Sequence, residues 1–449
     1  MSIPWLKSRG VLVTLLMATA TVSIAAAQEA TFSTLYLFDP LDPIAYTSPL
    51  GSQPDSRPVL GPGNTVYGMS YDGGTNGNGV IYRFDLKTQA YSVLHTFSAT
   101  DANGYNEDGA FPGVALTRGP DNEFYGMASF GGTNGTGTVF RISTSGEFTV
   151  LHTFSALDAN RHNWDGANPL RTIVIGHDGN LYGTTRLGGQ NTCGLKPFPN
   201  SCGVAWVMDR WGRKFTALHQ FTATEGHAAS LTLAHDGLFY GCAVWPATQL
   251  PDGTKLPSGT LFRMTPTGRA FEVLYKFSQT DASGANSDGA DCYEPLVEKA
   301  PGVFYGNATN GGTNGNGAVF RYSRSNPGIV EMVHEFSAMN AYTNSDGAYP
   351  YASLTLGEDG ALYSTTSLGG ANTNGVVYRI GPDDSFKVLY TFSASDPITG
   401  ANADGSTPDF GVILDGEDSL IGASVYGGNG NSAGYYNTGG TLYRLKLDE

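Results

Sequence analysis

The chain has 449 residues and a formal net charge of −15, with 61 glycines and 12% aromatic residues but only 14% charged residues. Proteins that bind nucleic acids or anionic membranes use basic surfaces, so this composition argues against both kinds of partner. Length alone would be typical of two or three domains, whereas the internal repeat described below predicts a single one.

The first 27 residues have the pattern of a secretory signal peptide. Lys7 and Arg9 precede an apolar segment from Val11 to about Ala20, and a run of small residues ends at Ala27. This order of charge, apolar core and small-residue cleavage site is typical of export signals. We therefore predict a signal peptide over residues 1–27 and a secreted or periplasmic mature protein over residues 28–449. The mature sequence contains no segment apolar enough to predict a membrane span.

Residues 123–154 form a unit that the rest of the chain repeats. A tyrosine, followed by glycine in most copies, recurs at intervals of 57 to 65 residues at Tyr67, Tyr125, Tyr182, Tyr240, Tyr305, Tyr363 and, as isoleucine, Ile421. A glycine three residues before an aromatic residue, which arginine follows in all but the third copy, recurs at Gly79, Gly137, Gly203, Gly259, Gly317, Gly375 and Gly440. Both markers indicate seven units, and a period of this length is typical of an array or a propeller.

Each unit is expected to form four short strands. In the second unit they are Gly113–Arg118, Glu123–Ser129, Thr138–Ser143 and Phe148–Phe154, which are rich in β-branched and aromatic residues. Asp-Gly or Asp-Asn pairs separate the first two strands, and Asn-Gly pairs separate the second from the third, as in tight antiparallel turns. The predicted fold is all-β, a seven-bladed β-propeller of four-stranded antiparallel blades in one domain over residues 28–449.

The two ends of the mature chain are expected to close the ring. Thr34–Phe38 matches the fourth strand of a unit, and the final unit stops after its third strand, Thr441–Leu445. We predict that Thr34–Phe38 pairs beside Thr441–Leu445 as the outermost strand of the last blade, which leaves no open junction between the first and last blades.

Five connections between units share the pattern Asn-x-Asp-Gly. In a four-stranded meander these connections lie on the same face as the loops after the second strands, which we call the loop face. The alternating oxygen side chains resemble part of a calcium loop, and the candidate ligands are Asp101, Asn106, Asp108, Asn286, Asp288, Asn344, Asp346, Asn402 and Asp404. The alternative is that Asn and Asp cap their own backbone in tight turns, which is the commoner use of this pattern.

The repeat is least regular from the end of blade two to the start of blade five, and nearly all of the irregular residues fall on the loop face. The candidate ligand-binding residues are Arg161, Trp164, Arg186, Lys196 and Trp245, and the candidate catalytic residues are His162, His227 and Tyr293. Rings stack on sugar faces, cations hold carboxylates, and His with Tyr can move protons, so this set suits a glycan site. The alternative is that loops simply tolerate insertions and that the tryptophans pack against neighbouring blades.

An exported chain can form disulfides, and this one has four cysteines. Cys193 and Cys202 bracket one loop insertion and are the favoured pair, which leaves Cys242 with Cys292. Three connectivities are possible. A metal site is set aside because the paired Cys-x-x-Cys spacing is missing.

The motif set resembles the GloVer tandem repeat of exported bacterial proteins. The resemblance rests on the sequences DGNLYGTT, GTVFRI and LHTFS and covers the chain from about Thr34 to Leu445. It implies a propeller-like β architecture and export, and it implies no activity and no catalytic residues. Members often carry a C-terminal surface anchor, which is not seen in this sequence.

Two functions of different classes remain. The first is a secreted, monomeric binding module whose partner is an extracellular polysaccharide or protein, with glycan recognition through the loop face. The second is a polysaccharide-degrading enzyme, a lyase acting on uronate polymers, with its site at blades three and four. Propellers host both kinds of function. The lyase hypothesis requires that His162, Arg186 and His227 converge with Tyr293 on one pocket. No cofactor other than calcium is predicted.

Overall fold

The protein is described here from a computed structural model, which covers residues 30–169, 171–193, 201–244, 256–430 and 438–447. The predicted signal peptide, Lys196 and Trp245 lie outside these residues.

The described residues form seven antiparallel sheets of a β-propeller. In chain order the strands are β1 (Ala30–Leu37), β2 (Ser48–Ser52), β3 (Val59–Leu60), β4 (Thr65–Ser70), β5 (Asp72–Gly74), β6 (Val80–Asp85), β7 (Tyr91–Thr96), β8 (Ala110–Pro112), β9 (Thr117–Arg118), β10 (Phe124–Phe130), β11 (Thr138–Ile142), β12 (Phe148–Thr153), β13 (Val174–Ile175), β14 (Leu181–Thr185), β15 (Val204–Met208), β16 (Thr216–Gln220), β17 (His227–Leu233), β18 (Phe239–Val244), β19 (Thr260–Met264), β20 (Phe271–Lys276), β21 (Val297–Ala300), β22 (Val303–Ala308), β23 (Ala318–Ser323), β24 (Val330–Glu335), β25 (Thr355–Leu356), β26 (Leu362–Thr366), β27 (Val376–Ile380), β28 (Phe386–Thr391), β29 (Asn402–Ser406), β30 (Val412–Leu414), β31 (Ser419–Ser424), β32 (Tyr426–Gly428) and β33 (Thr441–Leu447).

Six blades follow the chain order and the seventh combines both ends of the chain. From the channel outwards, blade one is β3, β4, β6 and β7, and blades three to six repeat this order with β13–β16, β17–β20, β21–β24 and β25–β28. In blade two, both β8 and β9 pair with β10; β9 covers only the end of the predicted first strand Gly113–Arg118, and β8 lies before that strand. Two small sheets, β2 with β5 and β29 with β32, lie in the loops.

The last blade confirms the predicted closure. β1 runs antiparallel to β33, with Thr34 opposite Tyr443 and Leu37 opposite Thr441. The sheet then continues to β31 and β30, so the first strand of the chain completes the last blade.

The two repeat markers fit together inside each blade. A Cβ atom on Gly126, in the second strand, would lie 2.5 Å from Cζ of Phe140 in the third strand, and one on Gly306 would lie 2.6 Å from Cζ of Phe320. The glycine of one marker therefore leaves room for the aromatic ring of the other, and the ring is fully buried in both blades.

Neighbouring blades are joined on the loop face by a repeated turn. In six blades a non-glycine residue with φ between 53° and 58° precedes the first strand, namely Gln53, Phe111, Asn168, Asp291, Tyr349 and Thr407. The N–H of each donates to a carbonyl of the preceding blade, at 2.7 to 3.2 Å. Proline follows this residue in all but blade five, which has Cys292. The proline packs against a glycine of the preceding blade. A Cβ atom on Gly79 would lie 2.6 Å from Cδ of Pro112, and one on Gly137 would lie 2.6 Å from Cδ of Pro169.

The Asn-x-Asp-Gly loops are held by hydrogen bonds within the protein. Asp108 accepts from the Ser98 N–H at 3.0 Å and contacts the His95 ring at 2.9 Å, and that ring stacks at 3.8 Å on Phe148 of the next blade. Asn106 accepts from the Gly109 N–H at 2.9 Å. Equivalent bonds occur at Asn286 and Asp288, Asn344 and Asp346, and Asn402 and Asp404.

These bonds account for the pattern as turn capping. Asp101, the remaining calcium candidate, accepts from the N–H groups of Asn103 and Tyr105 at 2.8 and 2.9 Å. Within the described residues there is no group of three or more His, Cys, Asp and Glu side chains that could hold a metal ion. The structure therefore gives the calcium hypothesis no support.

The four cysteines form the two predicted disulfides, Cys193–Cys202 and Cys242–Cys292. Among the described residues, no helix is long and apolar enough to cross a membrane.

Candidate functional site

Side chains that follow the repeated turn enter the channel at its loop-face end. Two residues after the positive-φ position lie Asp55, Tyr293, Tyr351 and Asp409, and three residues after it lie Arg171 and Glu294. The turn has the same backbone conformation in these blades, whereas the side chains that follow it are acidic in blades one and seven, aromatic in blade six, cationic in blade three, and aromatic then acidic in blade five. A ring of equivalent positions therefore carries non-equivalent chemistry, which is where a single site can exist in a repeat protein.

Arg171 and Glu294 form a buried ion pair at this end of the channel. Only 8% of Arg171 and 5% of Glu294 is exposed, and their guanidinium and carboxylate groups are in direct contact. The Arg171 guanidinium also lies 5.2 Å from the ring centre of Tyr293 and 5.5 Å from that of Tyr351. These two rings stack with centres 5.0 Å apart. A guanidinium held by a carboxylate and two rings is fixed in position.

Three further carboxyl groups near the channel have raised pKa values. Burial, with the nearby charges of Asp409 and Asp72, raises the pKa of Asp55 to about 8. Burial raises the pKa of Asp72 to about 6, and burial with the nearby charge of Glu294 raises that of Asp409 to about 6. Asp55 and Asp409 keep some solvent contact, but protein atoms surround them on the remaining sides. The surroundings of these three carboxyl groups therefore disfavour additional negative charge.

A cavity of about 100 Å³ opens beside the ion pair, and its lining includes Arg171, Arg186, Tyr293 and Tyr351. Arg186 follows β14, is exposed, and makes no side-chain ion pair with any residue that the structure describes. The cavity thus presents one guanidinium that an internal carboxylate already neutralises and one that is available to a ligand.

His227 lies next to this cavity at the start of β17. Only 2% of the residue is exposed, and its Nδ1 lies 3.1 Å from the carbonyl oxygen of Arg186. Its Nε2 is buried and has no hydrogen-bond partner. Burial lowers the pKa of His227 to about 4, and the nearby Arg186 charge acts in the same direction, so the ring is neutral near pH 7.

The sequence-predicted residues divide into two groups. Arg186 and Tyr293 line the cavity, and His227 adjoins it through Ala228, which also lines it. His162 lies away from it, with Nε2 at 3.0 Å from Thr192 Oγ1.

The two remaining described candidates lie in the connection before blade three. Trp164 is 48% exposed and packs edge-on against Phe215, with ring centres 5.6 Å apart. Arg161 is exposed in a turn with φ 63°. The convergence that the lyase hypothesis requires is therefore seen for three of the four residues, without His162.

Sequence reasoning missed Asp55, Arg171, Tyr351 and Asp409. The signal that could have found them is the short x-Pro segment before the first strand in five blades, at Pro54, Pro112, Pro169, Pro350 and Pro408. Because proline fixes the local backbone, the residues directly after it have corresponding places in these blades, and their variation from blade to blade marks the channel.

A larger cavity of about 660 Å³ occupies the other end of the channel. It is lined mainly by the innermost strands, with Leu60, Val174, Leu233 and Val297 among the lining residues. None of the sequence-predicted site residues lies there. We place the candidate site at the smaller cavity because ionisable and aromatic groups converge there.

Comparison with known families gives one match, to the Gloeobacter/Verrucomicrobia repeat. The family model matches residues 21–195, 106–288 and 165–344, in overlapping copies. No curated protein matches the chain.

Solved structures share the fold at low sequence identity. An oligogalacturonate lyase in complex with manganese is 13% identical, with a TM-score of 0.52 over 94% of this chain and 97% of that chain. An oligogalacturonate lyase from Vibrio parahaemolyticus is also 13% identical, with a TM-score of 0.50 over 94% of this chain and 95% of that chain. At this identity the likeness shows the propeller fold alone.

The first of these structures holds manganese, and the described residues of this chain show no comparable cluster of ligands. Manganese prefers several carboxylate or imidazole ligands, and the described part of the chain has no cluster of three such side chains. Near the cavity, Glu294 is occupied by Arg171. We therefore derive no chemistry from a metal.

Proposed function

We propose that this chain, which belongs to the Gloeobacter/Verrucomicrobia repeat family, is an exported β-propeller that binds an extracellular glycan containing acidic sugars at the loop-face end of its channel. Export is supported by the two disulfides, because such bonds persist in oxidising compartments, and by the signal-like sequence of residues 1–27.

One observation carries this proposal: Arg186 lines the cavity without an ion pair among the described residues, beside two stacked tyrosines. A guanidinium matches the two oxygens of a sugar carboxylate. Arg171 is already neutralised by Glu294, so Arg186 is the group that attracts the acid. Tyr293 and Tyr351 contribute flat surface and hydroxyl groups, which suit the faces and edges of a sugar ring.

The protonation state of Tyr293 suits binding and is not that of a general base. Burial raises the pKa of Tyr293 above that of a free tyrosine, and the charge of Asp291 adds to this effect. The phenol therefore stays protonated at neutral pH and cannot accept a proton as a general base. As a hydrogen-bond donor to a sugar oxygen it is well suited.

An eliminating enzyme acting on uronate polymers is the second candidate, and His227 favours it. Its neutral ring adjoins Arg186, as a base for the C5 proton would need to do. In that reaction His227 takes the C5 proton, the electron pair of the C5–H bond forms a C4–C5 double bond, and the C4–O bond breaks as the leaving oxygen takes a proton from the Tyr293 hydroxyl. Since the free Nε2 atom is buried, His227 would have to move to reach a substrate.

The test is a panel of uronate-containing and neutral polysaccharides, measured for binding by affinity electrophoresis and for elimination by the absorbance of unsaturated uronates. We expect retardation on uronate-containing polymers without new absorbance, and loss of retardation in Arg186→Gln. Arg269→Gln is the control, because it removes an exposed charge in a turn on the opposite face. Absorbance that depends on His227 would establish the enzyme instead, and a native protein that no polysaccharide retards and that forms no unsaturated product would contradict both functions.

A further inference from the structure

We propose that Tyr71, Phe111 and Phe130 form an aromatic platform beside Arg186 that binds an uncharged sugar ring next to the acidic sugar. This inference rests on the proposed function and narrows the ligand to a mixed glycan, in which an acidic sugar adjoins an uncharged one.

The three rings contact one another on the loop face of blades one and two. The ring centres of Tyr71 and Phe111 are 5.0 Å apart with an interplanar angle of 32°, and those of Phe111 and Phe130 are 6.0 Å apart at 87°. Phe130 is 45% exposed, and Tyr71 and Phe111 are partly exposed. Flat rings that remain open to solvent are the surface on which the C–H face of a sugar stacks.

The platform is connected to Arg186 through a single residue. Tyr71, Phe130 and Arg186 each end or follow the second strand of consecutive blades, so they occupy corresponding places on the loop face. Asn168 bridges the last two, because its Nδ2 donates to the carbonyl of Ser129 at 3.1 Å and its own carbonyl accepts from the Arg186 N–H at 3.1 Å. Phe130 directly follows Ser129. A glycan chain leaving Arg186 towards blade two would therefore meet the platform first.

Phe111 has an unfavourable backbone conformation for a bulky residue. It has φ 56°, a left-handed conformation that Asn tolerates better than a bulky residue, and Asn168 occupies the equivalent turn of blade three. The turn itself does not need an aromatic ring, since Gln53 and Thr407 also adopt it. The ring at Phe111 therefore has a use other than forming the turn, and its contacts are with Tyr71 and Phe130.

The surroundings of the platform select against a second acidic sugar. Asp72 directly follows Tyr71, and its charge acts on the Tyr71 hydroxyl. A carboxylate placed here would meet negative charge, whereas Arg186 lies on the other side of Asn168. The platform therefore suits an uncharged ring, such as a hexose or an N-acetylhexosamine, joined to a uronate at Arg186.

The experiment measures affinity by calorimetry for three probes. These are glucuronate, a set of tetrasaccharides in which glucuronate alternates with an uncharged hexose or N-acetylhexosamine, and neutral tetrasaccharides of the same length. The variant is Phe111→Asn with Phe130→Ala, and asparagine at residue 111 keeps the turn. Trp211→Ala is the matched control, because this 56% exposed ring lies in a third-to-fourth-strand turn on the opposite face.

We expect the native protein to bind a mixed tetrasaccharide at least tenfold more tightly than glucuronate, and the platform variant to lose this gain while its affinity for glucuronate is unchanged. Trp211→Ala should match the native protein. A platform variant that keeps the gain would overturn the platform and leave the proposed function standing. If the acidic probes bind Arg186→Gln as tightly as the native protein, the proposed function is overturned. In that case the platform stands only if the neutral tetrasaccharides bind the native protein and the platform variant does not bind them. If no probe binds the native protein, both proposals fall.

Discussion

The buried imidazole of His227 has a depressed pKa, and this links the stability of the fold to pH. Its pKa in the folded protein is about 4, against 6.5 for a free histidine. Between these values the unfolded chain binds a proton that the folded protein does not, so stability falls as the pH is lowered through this window. A difference of this size corresponds to about 3 kcal/mol of unfolding free energy.

We therefore predict that His227→Gln flattens the dependence of stability on pH between 6.5 and 4. Urea unfolding of the native protein and the variant at several values in this range would measure the effect. His162→Gln is the control, because that ring is accessible and bonded only to Thr192. A variant whose stability declines as steeply as that of the native protein would show that His227 is not the group responsible.

Asp55 changes the dependence of stability on pH in the opposite direction to His227. Its pKa in the folded protein is raised to about 8, so at neutral pH the unfolded chain releases a proton that the folded protein retains. This group therefore destabilises the fold increasingly as the pH rises from about 4 to about 8.

The corresponding prediction is that Asp55→Asn raises the melting temperature by several degrees at pH 8 and by little at pH 4. Scanning calorimetry at the two values measures it. Glu417→Gln, at an exposed position, removes the same charge and should change neither value. A decrease on replacing Asp55 at pH 8 would mean that its carboxylate is stabilised by contacts other than those described here.

At the scale of the element, the blade depends on the fit between the second and third strands. The glycine of the second strand and the aromatic ring of the third occupy adjoining space in several blades, as at Gly126 with Phe140 and Gly306 with Phe320. Blade six packs these two strands differently. Ser364 replaces the glycine of the second strand, and the Tyr378 hydroxyl of the third strand donates to Asn307 at 2.9 Å.

We predict that Gly126→Ala destabilises the protein by about 1–3 kcal/mol, because the added methyl would overlap the buried ring of Phe140. Denaturant unfolding measures the loss. The equivalent Ser364→Ala should cost less steric energy, since blade six already accommodates a Cβ atom there. If both variants are equally stable, the glycine is not required by packing.

These packing rules explain which elements could be predicted from the sequence. The markers at Tyr125 and Gly137 recur because every blade must solve the same packing problem, so the repeat predicts the number of blades and the order of strands. The first strand was predicted less well, because only the end of Gly113–Arg118 forms a strand, β9. This strand lies at the edge of the blade that faces the channel, so its side chains do not show the alternation of a strand buried on one face.

The repeat pointed to the candidate site only where it is irregular. Arg186 and Tyr293 were found because they depart from the repeat within loops. Asp55, Arg171 and Asp409 were not, because their convergence depends on closing seven blades into a ring and bringing together residues far apart in the sequence. The calcium hypothesis has no support from the structure, and the repeated polar pattern has a structural use, as the bonds of Asp108 to His95 and Ser98 show.

At the scale of the whole molecule, the ring is closed by hydrogen bonds between its two ends. β1 pairs with β33 from Ala30 opposite Leu447 to Leu37 opposite Thr441. An opened ring loses the contacts at its closing blade, and every other blade is coupled to that blade through its neighbours.

We predict that deleting residues 28–39 lowers the melting temperature of the entire protein in one cooperative transition. Calorimetry follows the transition, and addition of a synthetic peptide of residues 28–39 should restore part of the loss. A truncated protein that melts like the full-length mature protein would show that the closing strand is dispensable.

We attribute the affinity of the channel for an acidic sugar to Arg186, and calorimetric titration of the protein with a uronate oligosaccharide tests this assignment. We expect that native protein and Arg269→Gln bind equally, that Arg186→Gln loses at least tenfold in affinity, about 1.4 kcal/mol or more, and that added salt weakens native binding more than binding by Arg186→Gln. Equal affinities for the native protein and Arg186→Gln would contradict the assignment.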